Sequence, residues 1–70
     1  MKENVEAERW RLQLSKEAVC KELGIIYKTY MGYIRDERSI PSDKLEAMSK
    51  LFDCSIDYLL GWTNNRKRAS

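Results

Sequence analysis

Apolar positions fall along the chain in five short stretches of helical period, separated by brief polar breaks. Val5, Arg9 and Leu12 recur at i, i+4, i+7 within residues 3–12 and predict a first helix, whose thin stripe must rely on packing against the rest. Val19, Cys20 and Leu23 share one face of a second helix from Lys16 to Leu23, with Lys16, Glu17, Lys21 and Glu22 outside. Ser15 suits its N-cap, since a hydroxyl there can accept an orphan amide one turn in. Gly24 closes it, because the residue past a helix end commonly needs positive φ, which glycine adopts without steric cost. After Ile25 and Ile26 a third helix covers about Tyr27 to Arg35, and Asp36 to Pro41 form a polar loop. Pro41 and Ser42 mark the next start, with Ser42 as its cap, and Leu45, Met48, Leu51 and Phe52 give its period. Asp53-Cys54 is a short turn, Ser55 caps a final helix from Ile56 to Leu60, and Gly61 ends it. Beyond it a frayed tail is expected.

Composition narrows the picture. Seventy residues, 43% apolar and 34% charged, make one folded domain near the lower size limit for a chain stabilised by apolar burial alone. One proline and three glycines favour an all-α fold over a β-sandwich. The apolar runs fall far short of the roughly 20 residues that span a bilayer, and the N-terminus offers no signal-peptide core, so the cytoplasm is the expected location. The net charge of +2 misleads as a whole-chain figure. Arg66, Lys67 and Arg68 hold three of the thirteen cations, which leaves ten against eleven acids over residues 1–65. A nucleic-acid reading must therefore rest on where the charges sit. Cys20 and Cys54 stand 34 residues apart in a chain without histidine, too few ligands for a zinc site. The two could form one disulfide, but both read better as small buried apolar groups.

The third helix carries the candidate chemistry. On a wheel of 100° per residue, Tyr30, Tyr33 and Ile34 fall in one sector about 100° wide and should meet the core. Lys28, Met31, Gly32 and Arg35 fall in the opposite sector, with Tyr27 at its edge on the exposed first turn. That face has two cations, a flexible apolar side chain, a gap at Gly32 and no acid. Such a face fits the major groove, where cations meet phosphates and guanine edges and apolar groups meet thymine methyls. A plain solvated helix face would look the same.

The stretch KEAVCKELGIIYKTYMGYIR, Lys16 to Arg35, resembles the helix-turn-helix of the Cro/repressor-type (XRE) family. Cys20 supplies the small residue at the helix crossing, Gly24 the turn, and Val19, Leu23, Ile25, Tyr30 and Tyr33 the apolar positions. NVEAERWRLQLS is similar to the family's first helix, and IPSDKLEAMSKLFDCSIDYLLG to its two closing helices, especially in phage-like regulators of Gram-positive bacteria. The resemblance spans about residues 4–61. It implies a five-helix, lambda-repressor-like DNA-binding domain over residues 1–62, with the helix-turn-helix at helices 2 and 3, and a flexible basic tail over 63–70. Carried over residue by residue, the base-reading positions fall on Tyr27, Lys28 and Gly32, with Thr29 and Met31 alongside. Ser15 and Lys16 fall where the second helix points its N-terminus at a phosphate, and Arg35 and Arg38 where the following loop runs beside the DNA backbone.

Three residues depart from the family pattern. Ile26 stands where Ser or Thr usually caps the third helix, a loss on the order of 1 kcal/mol that burial of Ile26 could offset. Ile34 stands where a glutamate usually pairs with the arginine matching Arg9, so Arg9 needs another partner or water. Gly32 replaces a side chain that often reads a base, which fits either close backbone approach to DNA or weak readout.

The resemblance implies a sequence-specific binder of double-stranded DNA, a repressor acting as a homodimer, with no cofactor and no small-molecule ligand. The alternative is a protein-interaction module of antitoxin or antirepressor kind, favoured by the near-neutral charge of residues 1–65 and by Gly32. An enzyme is not expected, since there is no histidine, no metal cluster and no phosphate-cradling loop. Tyr58, Leu59 and Trp62 could form an apolar patch suited to a two-fold interface, or could face inward.

Overall fold

A computed structural model describes residues 2–68. The described residues form five helices and no strand: α1 Glu3–Arg11, α2 Lys16–Leu23, α3 Tyr27–Ile34, α4 Ser42–Phe52 and α5 Ile56–Leu59. This is the expected order, with α1, α3 and α5 each one residue shorter than their periodicity suggested. Residue 1 and residues 69–70, parts of the expected domain and tail, lie outside the described residues.

One core joins all five helices. Val5 of α1, Val19 and Leu23 of α2, Tyr30, Tyr33 and Ile34 of α3, Met48 and Phe52 of α4, and Leu59 of α5 are buried together with both cysteines. Cys20 and Cys54 are free thiols. Burial, helped by the negative charge of Glu8, pushes the Cys54 thiol up to about 11, so it remains protonated at neutral pH. Of the two alternatives for Tyr58, Leu59 and Trp62, Leu59 takes the inward one, buried in this core, while Tyr58 is half-buried and packed against it. Trp62 is 75% exposed and Trp10 69%. Leu12, expected on the inner stripe of α1, is exposed because it sits just past the last helical residue.

The helices all stop in one way. Gln13, Gly24, Asp36, Asp53 and Gly61 have positive φ, one after each helix. After α2 the Gly24 N–H bonds to Lys21 O and the Ile25 N–H to Cys20 O, at 3.3 and 3.0 Å. After α3 the Asp36 N–H bonds to Tyr33 O and the Glu37 N–H to Gly32 O, at 3.3 and 2.9 Å. These pairs satisfy carbonyls that a helix end otherwise leaves open, and the left-handed residue reverses the chain. Two of the five positions are glycine. At the other three the side chain must bear the left-handed conformation, a cost of roughly 1–2 kcal/mol where no local bond relieves it.

Two start signals hold and one does not. Ser15 Oγ accepts the Ala18 N–H at 3.0 Å, and Ser55 Oγ the Tyr58 N–H at 3.1 Å. Ser42, expected as a cap, is instead the first residue of α4, and Pro41 takes the cap position. The Pro41 carbonyl accepts from the N–H groups of Lys44 and Leu45, and no side chain caps this helix.

The segment after α5 folds back within its described part. Arg66 O accepts the Ser55 N–H at 2.9 Å, and Ser55 Oγ donates to Asn65 O at 3.2 Å. The Arg66 guanidinium donates to Glu8 at 2.6 Å and to Phe52 O at 3.0 Å. Arg66, counted with a frayed basic tail, thus ties the chain's end to α1 and to the end of α4.

Candidate nucleic-acid interface

The α2–turn–α3 unit is a helix-turn-helix whose turn is the three residues Gly24, Ile25 and Ile26. Gly24 reverses the chain at φ 68°, and Lys44 of α4 clamps the end of α2 by donating its ammonium to Leu23 O at 2.8 Å. Tyr30, Tyr33 and Ile34 then pin α3 to the core, as the wheel requires. The opposite face of α3 is left outward.

Tyr30 is held by a polar hub beneath α3. Its hydroxyl donates to Glu6 at 2.6 Å, and Arg9 Nε donates to the same Glu6 oxygen at 2.8 Å. Arg9, 6% exposed, also donates to Leu14 O at 2.8 Å. Burial opposes charge on Glu6, but the hydrogen bonds from Arg9 and Tyr30 outweigh it and hold the carboxyl below the usual range. Burial, with the bonded Glu6 carboxylate, pushes the Tyr30 hydroxyl far up, so it stays a donor. Glu6 therefore answers the question left by Ile34. It supplies the acid that Arg9 needs from the same helix, three residues away, and an i, i+3 search could have found it. The partnership of Glu8 with Arg66 has no comparable signal, because 58 residues separate the pair.

The sequence-predicted residues divide by exposure. Tyr27, Lys28, Arg35 and Arg38 are exposed, and the three cations make no ion pair among the described residues. Lys21, Lys44, Lys50 and Lys67 likewise make no ion pair among the described residues, but they lie away from α3 and its return loop. Ser15 is exposed with its oxygen engaged as the α2 cap. Lys16 is half-buried, its ammonium 3.9 Å from Glu6. Thr29 is half-buried, and Met31, expected on the outward face, is half-buried against the edge of the core.

Two expectations about α3 are corrected. Ile26 is 68% exposed, so burial does not offset its missing cap, and the first amides of α3 have no side-chain acceptor. Gly32 is not an open gap on the helix. It is buried because Arg38 lies across it: a Cβ at position 32 would fall 2.9 Å from Arg38 Cδ and 3.1 Å from Cγ. The left-handed Asp36, bonded to the Lys2 ammonium, turns the chain so that Arg38 returns over the helix.

No family model and no solved structure matches the chain. The chain is similar to YobD of Bacillus subtilis (strain 168), an uncharacterized HTH-type transcriptional regulator, with 36% identity over 53 residues. The matched stretch takes in 76% of this chain and 47% of YobD, so the chain spans about half the length of that relative. The likeness is thus to an HTH-type regulator, and α2, its turn and α3 supply the helix-turn-helix.

Proposed function

We propose that this chain is a sequence-specific double-stranded DNA binder of the Cro/repressor kind, which sets α3 in the major groove and regulates transcription. The observation that carries the reading is the face of α3 and its return loop. Lys28, Arg35 and Arg38 are exposed together without an acidic partner among the described residues, while Tyr30 and Tyr33 anchor the other side in the core. Unpaired cations on the exposed face of a helix and its return loop supply the phosphate and guanine contacts that groove binding needs. The similarity to an HTH-type transcriptional regulator points the same way.

In this reading residues 1–62 form the DNA-binding unit, and Tyr27, Lys28, Thr29 and Met31 lie nearest the bases. Ser15, Lys16, Arg35 and Arg38 approach the DNA backbone. The uncapped first amides of α3 are available to a phosphate oxygen. The protein acts as a homodimer on a two-fold symmetric site, with half-sites about one helical turn apart, and represses by occupying a promoter.

A protein-docking role draws on a different observation: Ile26 and Tyr27 leave an exposed apolar edge at the start of α3. One experiment separates the two. Purified protein is used to select duplexes from a random pool at low salt, and the selection is repeated with Lys28→Ala. An enriched palindrome whose enrichment drops with the substitution supports DNA reading. A pool that returns no motif, alongside a stable protein complex, supports docking.

A further inference from the structure

We infer that Arg38 takes the place of the side chain missing at position 32, so that α3 presents a base-reading arginine its own sequence does not contain. The inference rests on the DNA-binding reading and goes beyond it in one respect. Arg38 moves from a backbone contact in a loop to the middle of the helix face that enters the groove, and Gly32 becomes the residue that positions it.

Lys28, Gly32 and Arg35 stand at i, i+4 and i+7 and form one stripe along α3. Without Gly32 the stripe would have a cation at each end and a side chain of its own between them. Instead, the stem of Arg38 lies where that side chain would begin. A Cβ on residue 32 would come within 2.9 Å of Cδ, 3.1 Å of Cγ and 3.2 Å of Nε of Arg38. The backbone of the return is fixed to the same residue, since Gly32 O accepts the N–H groups of Glu37 and Arg38 at 2.9 and 3.2 Å. Arg38 is exposed and makes no ion pair among the described residues. Its planar fork of donors is therefore available for the two acceptors of a guanine edge, a geometry a lysine cannot reproduce. Even alanine at position 32 would force the arginine stem to shift from this seat.

The test uses the whole chain. Duplexes selected by the wild-type protein define a preferred sequence, and competition binding is measured against every single-base variant of it. The same measurement is made for Arg38→Ala, Gly32→Ala and the double variant, with circular dichroism confirming that each is folded. Arg38→Ala should flatten discrimination at one position by about ten-fold and leave the other positions as they were. Gly32→Ala should flatten the same position, and in the Arg38→Ala background it should change nothing further. A loss spread equally over all sequences on Arg38→Ala, or full discrimination retained by Gly32→Ala, overturns the proposal.

A second measurement keeps the two readings apart. In the free protein, nuclear Overhauser contacts should join the Arg38 δ protons to the Gly32 α protons. Their absence would sink the seating of Arg38 even where DNA binding stands. If the contacts are present but the wild-type protein selects no sequence, the failure lies in the DNA-binding reading, and the base-reading role falls with it.

Discussion

Helices α1 and α3 hold the same kinds of cation in opposite circumstances. On α1, Arg9 pairs with Glu6 and Arg11 with Glu8, each at 2.8 Å and three residues apart, and Lys16 and Arg66 join from outside. On α3 there is no acidic residue, and Lys28 on the helix and Arg35 at its C-cap are exposed and make no ion pair among the described residues. Glu8 and Arg9 are buried, so removing the partners of either leaves its charge stranded without water. A surface lysine that loses nothing inside the protein has no such consequence. The lesson is that net charge is blind to this division: cations bound into the fold are spent on stability, and the unpaired ones are free to meet an outside anion.

The contrast can be broken first at its strongest point. Glu6→Ala leaves Arg9 and the Tyr30 hydroxyl without their carboxylate and should destabilise the fold by about 3 kcal/mol, read from urea unfolding. A loss under about 1 kcal/mol would mean the α1 hub is ornamental. Acid should act in the same direction. Glu6 and Glu8 are held below the ordinary value of 4.5 despite burial, by bonds from Arg9 and Tyr30 and from Arg66 and Arg11 respectively. Their contribution is thus complete above that value and is lost as pH falls through the lower folded values. Unfolding temperatures measured from pH 7 to pH 3 should stay level at first and drop only below about 4.5; a fall beginning above pH 6 would implicate other groups.

Smaller effects sharpen the comparison at the helix starts. Ser15→Ala removes the α2 cap and should cost about 1 kcal/mol. Ile26→Ser supplies the cap that α3 lacks and gives up little buried surface, so it should gain up to about 1 kcal/mol; a net loss would show that exposed Ile26 packs in solution. Smallest in stability is Lys28→Ala, expected within about 0.5 kcal/mol of wild type. Its effect should appear instead in DNA affinity, as a salt slope lower by about one. Destabilisation beyond 1 kcal/mol without any change of slope would erase the distinction between α1 and α3.

Local chemistry was legible in the sequence, and returns of the chain were not. Ser15, Ser55, Gly24 and Gly61 announce their roles because cap and stop each depend on one residue's own atoms. The tyrosines of α3 were legible for a similar reason, since a short helix must turn its apolar sector inward. The stops at Gln13, Asp36 and Asp53 carry no glycine signal, and the bonds that hold them follow only from the helix before. Gly32 was misread because what covers it arrives six residues later, after a left-handed turn at an aspartate. Burial that could have offset the missing cap at Ile26 does not occur, because α3 has its anchoring side chains elsewhere and the residue before its first turn stays outside.

The two exposed tryptophans have a practical consequence for anyone following this fold by light. Both indoles meet solvent in the native state, so emission should peak at long wavelength before and after denaturation, with little spectral movement between. Arg9, whose guanidinium carbon lies 4.9 Å from the Trp10 ring centroid, offers one exception: loosening α1 should change the brightness of that indole more than its colour.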